Sequence, residues 1–207
     1  MDFDMKAVFL SAASGNSGES RLIKLLWQEI EAAYQHENRY YHTMKHLQQV
    51  YAELLPLKKN ISDWNVILFS LFYHDIIYEP TQQDNESKSA AIAKARLESI
   101  HLPGIKIENC MKMIMATKDH TASDDDDINF FTDADLTILG STRPAYINYC
   151  KDVRKEFSEL PDFIYKPGRK SVLQHFLEMP AIYKTQYFFD RYENTARENI
   201  RFELETL

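Results

Sequence analysis

Four short segments of this chain carry side chains that bind metals or move protons. The first is RYYHTMKHL, in which His42 and His46 stand four residues apart. On a helix that spacing places both imidazoles on one side. His46 also precedes the apolar Val50 by one turn, at the edge of an expected buried stripe. The second is FYHDIIY, which sets His74 and Asp75 at the end of a long apolar run. A buried carboxylate must be paired, protonated or bound to a cation, because an isolated one costs several kcal/mol. No Lys or Arg adjoins Asp75, and the dipole at a helix C-terminus opposes its charge. A cation resolves both problems. The third is DADLTILG, where Asp135 shares a helical face with Leu139 and Asp133 lies two residues earlier. The fourth is ATKDH, whose His120 follows a Met-rich helical pattern. Singly, each has an ordinary reading as a hydrogen-bonded core residue. Together they offer imidazoles and carboxylates, a donor set for divalent ions.

Positioning such groups requires helices. The apolar spacing predicts one over about 20–36, from Leu22, Leu25, Leu26, Ile30 and Ala33, and a second over about 40–55 ending at Pro56. Residues 64–78 are apolar nearly all round and predict a central helix capped by Ser62. Asp84 caps a helix over about 85–100. The next spans about 106–118, with Ile107, Cys110, Met111, Ile114 and Met115 on one face. Residues 124–127 read as a solvated acidic loop. Residues 128–139 predict a helix closed by a left-handed Gly140. Thr142 and Pro144 open another through about 157. A connection over 161–168 leads to helices at about 169–179 and 181–205. No repeat or linker interrupts the pattern, so a single all-α domain over 1–207 is expected.

Composition agrees. The 207 residues hold only 5 Gly and 7 Pro, too few turn formers for many hairpins. No GxGxxG or GxxxxGK[ST] is present, so glycine-rich phosphate loops are excluded. The net charge of −7 argues against bulk nucleic acid as a partner. Cys110 and Cys150 lack CxxC spacing and read as buried free thiols, which suits a reducing cytoplasm. No apolar run is long enough to span a bilayer, and the acidic start MDFDMKAVFL does not resemble a secretion signal.

In order, His46, His74-Asp75 and Asp135 resemble the HD-domain superfamily of metal-dependent phosphohydrolases. The wider run, RYYHTMKHL with FYHDIIY, NESKSA, ATKDH and DADLTILG, is similar to a bacterial subgroup of predicted HD-superfamily hydrolases. The similarity covers about residues 38–140, with helical extensions at both ends. It implies an HD-like helical bundle and one divalent ion (Mn, Fe, Co, Ni, Zn or Mg) held by His46, His74, Asp75 and Asp135. His46 is favoured over His42 because HLQQV resembles the family's stretch after its first histidine. Asp135 is favoured over Asp133 because it follows Ala134 as the family's last ligand does.

The activity so implied is hydrolysis of a small phosphorylated molecule, nucleotides included, by activated water. Asp75 would hold the water as well as the ion, and Glu86 is a candidate base or outer acid. Arg39, Lys45 and Lys118 flank the motifs and could offset phosphate charge. His42, His120 and Asp133 could contact phosphate or a second metal. Tyr40, Tyr41, Tyr73 and Tyr78 crowd the same motifs and read chiefly as core or rim. His36, His101 and His175 read as surface or satisfied histidines. Two rivals are a di-iron oxygenase of the same superfamily and a non-catalytic metal-binding sensor. Homo-oligomerisation is left open.

Overall fold

The computed structural model describes residues 3–14 and 20–207. The described residues form ten α-helices and two short 3-10 turns, with no strand among them. They are α1 (Met5–Ala13), α2 (Ser20–Tyr34), α3 (Met44–Leu54), α4 (Trp64–Tyr73), α5 (Asn85–Ser99), α6 (Gly104–Ala116), α7 (Asp126–Asp135), α8 (Arg143–Glu156), α9 (Asp162–Glu178) and α10 (Gln186–Thr206). The class is all-α.

Helix α4 is the hub. Every residue from Val66 to Tyr73 is buried, so the helix has no solvent face. It packs against α1, α3, α5, α6 and α7, which surround it. Each fully buried large apolar side chain contributes about 1.5–3 kcal/mol, so this ring supplies much of the core. Its N-cap is Asp63 rather than Ser62: the Asp63 carboxylate accepts the Val66 N–H. The Ser62 and Asp63 N–H groups donate to Asp127 at 2.9 Å each. The acidic run is therefore not wholly solvated. Asp127 is buried and ties α7 to the start of α4.

A second layer covers the 3-10 turn Leu136–Gly140: α8 and α10 pack on it, and α9 packs on α10. The Asn199 side chain donates to the Leu139 and Ser141 carbonyls at 2.8 and 2.9 Å, and the Tyr183 hydroxyl donates to the Leu136 carbonyl. Gly140 does not adopt the left-handed conformation expected of it. It is glycine for space: a Cβ there would lie 2.6 Å from the Tyr192 Cβ and 2.8 Å from its carbonyl oxygen.

Helix α9 replaces the expected connection over 161–168. Pro161 precedes its first turn, where a missing N–H costs nothing. Pro167 lies inside it and leaves the Phe163 carbonyl without its usual donor. Phe163 is 78% exposed, so that end of the helix faces water and tolerates the loss. The expected faces of α2 and α6 are rotated slightly. Leu25 and Met115 are exposed, whereas Ile23, Trp27 and Met113 are buried. One continuous hydrophobic cluster runs from Met5 to Ile200. Both cysteines are free; Cys110 is buried and Cys150 half-buried, and burial pushes each thiol up to about 12.

Candidate metal centre

Helix α4 stops at Tyr73, and His74 caps it with its N–H on the Ser70 carbonyl. The chain then turns sharply through Asp75 and Ile76. Arg39 makes this turn possible: its guanidinium donates to the Asp75 and Ile76 carbonyls at 2.7 and 3.0 Å. It also reaches the His42 carbonyl and stacks on Tyr34 and Tyr78. From α5, the Ser89 hydroxyl accepts the Ile77 N–H, while Asn85 holds the backbone of Glu79. The NESKSA segment thus positions the turn through Asn85 and Ser89.

Two further elements complete the site. His46 lies in the first turn of α3 and is buried. His42 does not share that helix; it precedes the N-cap Thr43 in an irregular stretch. Asp135 is the last residue of α7. The Nε2 atoms of His46 and His74 face each other at 3.2 Å. Asp135 Oδ1 lies 3.1 Å from His46 Nε2 and 3.6 Å from His74 Nε2. Asp75 Oδ2 lies 3.2 Å from His74 Nε2 and 4.0 Å from His46 Nε2.

The donor set suits a cation on three grounds. Donors about 2.1 Å from one ion stand about 3.0 Å apart at right angles and about 4.2 Å apart when opposite. The donor atoms of His46, His74 and Asp75 all lie within 4.8 Å of one another. Second, His74 Nδ1 lies 2.9 Å from the Leu71 carbonyl, which accepts its proton and turns a lone pair on Nε2 inward. Third, Asp75 and Asp135 sit at the negative ends of α4 and α7, adding to the demand for positive charge. Burial opposes ionisation of both carboxyls, but the imidazoles outweigh it and hold them well below the usual carboxylate range. Burial likewise opposes a charged His74, yet the two aspartates hold its pKa well above the usual value. A cation at these atoms would replace the imidazole proton.

The other sequence candidates have separate places. Asp133 is fully buried and engaged elsewhere. It accepts the Lys184 and Thr185 N–H groups and the Thr185 hydroxyl, and pairs with the Lys184 ammonium at 2.9 Å. His42 Nε2 lies 4.0 Å from Asp75 Oδ2. His120 Nε2 lies 3.6 Å from Asp135 Oδ2, with its backbone in the left-handed region at φ 50 and its ring beside the Thr132 backbone. Burial pushes its pKa down to about 4, against the pull of Asp135. Arg39 spends its donors on backbone carbonyls. Lys45 is exposed beside His46, and Lys118 is exposed on the Gln83 carbonyl. Glu86 stays in the first turn of α5 and forms no hydrogen bond or ion pair among the described residues. Tyr73 is core, Tyr40 is exposed, and Tyr78 lies against the His42 ring at 4.1 Å.

Two residues at the site went unread in the sequence. Glu156, at the end of α8, accepts three consecutive N–H groups, those of Tyr40, Tyr41 and His42, at 2.8, 2.8 and 2.9 Å. Its other oxygen receives His42 Nδ1 at 2.8 Å and the Tyr78 hydroxyl at 3.0 Å. Within RKEFSE it reads as one solvated charge among several; an acid at a helix C-terminus was the one available signal. Lys184 is the other, and no local pattern marks it. No family model, curated protein or solved structure matches the chain.

Proposed function

We propose that the chain is a metal-dependent phosphohydrolase of HD type, acting on a small phosphorylated molecule. One observation carries the reading: two buried imidazole Nε2 atoms 3.2 Å apart, flanked by the carboxylates of Asp75 and Asp135. The order of those four residues along the chain, and their resemblance to the HD pattern, support it. His46, His74, Asp75 and Asp135 would hold the ion. When bound, a divalent ion there supplies Lewis acidity toward water and a phosphoryl oxygen.

The chain's own residues do the rest. Arg39 fixes the turn that presents His74 and Asp75. Glu156 accepts the Nδ1 proton of His42, which directs His42 Nε2 toward Asp75. From that position His42 can exchange a proton with a group held beside Asp75. His120 borders the second carboxylate oxygen of Asp135, with burial holding its ring toward the neutral form.

The test is metal analysis of the purified chain, followed by phosphate release from phosphomonoesters, nucleotides and cyclic dinucleotides with each divalent ion. Asp75→Ala is expected to lower release by at least about 100-fold with the helical circular dichroism unchanged. Activity retained in Asp75→Ala, or no metal-dependent release from any ester, sinks the assignment. His42 and His120, which flank the two carboxylates, also favour a second reading, a di-iron oxygenase. Two irons per chain with O₂ consumption would select it.

A further inference from the structure

A cavity of about 380 Å³ opens beside His46 and Asp135. Its charged lining is unusual for a phosphate-handling protein. Apart from those two residues, Glu53 is its only charged member, and no Lys or Arg lines it among the described residues. Several cations line other cavities, and Arg191 stacks on the Tyr187 ring, near enough to act on the Tyr192 hydroxyl. Arg39 and Lys155 line a separate cavity behind the Tyr40–His42 stretch, and Lys151, Arg154 and Lys166 line a third between α8, α9 and α10. Lys184 is paired with Asp133.

Glu53 is half-buried on α3 and has no ion-pair partner among the described residues; the Tyr192 hydroxyl is its neighbour. The Tyr192 hydroxyl hydrogen-bonds to its carboxylate, whose remaining lone pairs can accept from a group in the cavity it lines. Tyr41 and Tyr192 supply aromatic wall, and Ser141 adds a hydroxyl. Gly140 lets Tyr192 lie flush against the wall. A second anionic group placed against Glu53 would find no Lys or Arg in the lining to offset its charge. A hydroxyl- or amine-bearing group would find acceptors and a ring to pack on.

Resting on the hydrolase reading above, we infer that this cavity takes the alcohol portion of a phosphomonoester. That portion is uncharged or cationic, a polyol or amino alcohol, and Glu53 accepts its donors. Bisphosphates and polyphosphates are disfavoured.

The test is a phosphomonoester screen in which each monophosphate is paired with its bisphosphate and an amino-sugar counterpart. Glucose 6-phosphate, glucose 1,6-bisphosphate and glucosamine 6-phosphate form one such set, and p-nitrophenyl phosphate reports chemistry without these groups. Wild type, Glu53→Gln and Glu53→Lys are compared by kcat/KM with Mn²⁺ and by the Tm shift each compound produces. Wild type should prefer the monophosphates by about tenfold or more. Glu53→Lys should move that ratio toward the bisphosphate by a similar factor, and Glu53→Gln should weaken the amino sugar most. Should Glu53→Lys fail to fold, Glu53→Gln and the wild-type ranking decide. A wild-type preference for bisphosphates, or ratios unmoved by both variants, overturns the inference and leaves the hydrolase reading standing. No release from any ester, p-nitrophenyl phosphate included, overturns both.

Discussion

At the scale of single residues, Glu156 shows how a carboxylate far from the motifs shapes the site. Five donors converge on its two oxygens, and its side chain is fully buried. Burial opposes its ionisation, but His42 and the backbone N–H groups outweigh that and lower its pKa from the usual 4.5 to about 2. A depressed folded-state value stabilises the fold above the unfolded pKa, and the contribution fades as pH falls from about 4.5 toward 2. Glu156→Gln should therefore cost about 3 kcal/mol at pH 7. The stability gap to wild type should close across that acid window. Urea unfolding at pH 7, 4 and 2.5 measures it; a gap independent of pH would show that the charge contributes nothing. The same residue explains why His42 points at Asp75 although it lies outside α3.

At the scale of elements, the end of α7 and the turn after it carry the most constraint. Asp135 closes the helix, and Leu136–Gly140 is covered by α10. Gly140→Ala inserts a methyl into the Tyr192 backbone, which cannot swing aside as a flexible side chain would. Overpacking of this kind costs about 1–3 kcal/mol, or roughly 2–10 °C in Tm for a chain of this size. Calorimetry on the variant checks it, and an unchanged Tm would mean that α10 shifts freely. Because α10 also presents Tyr192 to the cavity, Gly140→Ala should disturb ligand binding together with stability. Sequence periodicity located α4 well but extended it past Tyr73. The reason is local: the apolar run continues to Tyr78, while the carbonyls of Asp75 and Ile76 are taken by Arg39 from a distant segment.

At the scale of the whole molecule, the candidate centre joins elements that are far apart in sequence. His46 comes from α3, His74 and Asp75 from the end of α4, and Asp135 from α7. An ion bound there would cross-link the central helix to two of its neighbours, and a ligand that binds only the folded state stabilises it by mass action. At 100 times its Kd the gain is about 2.7 kcal/mol, or roughly 5–10 °C in Tm. Titration with Mn²⁺, Zn²⁺ or Fe²⁺ should raise Tm in a saturable way, with EDTA reversing it. His46→Ala should abolish the shift, and an equal shift in that variant would place the ion elsewhere. Helix α4 is apolar nearly all round and is enclosed by α1, α3, α5, α6 and α7; no helix among the described residues is long and apolar enough to cross a membrane.

The amino-acid sequence determines the helical class, the burial of α4 and the list of side chains able to do chemistry. Those properties are local, set by glycine scarcity, a period of 3.6 and the cost of burying charge. The tertiary structure decides which candidates meet. Asp133 and Asp135 are two residues apart; the linear reading favours Asp135, which follows Ala134, but leaves Asp133 without a partner. Only packing against the 184–185 junction assigns one to Lys184 and turns the other toward the imidazoles. Arg39 reads as a free cation until the carbonyls of Asp75 and Ile76 consume its donors. Glu156 is invisible until α8 docks on the Tyr40–His42 stretch, 114 residues away from His42. Helical periodicity reports the side a residue faces, and contacts of that span depend on how whole helices pack.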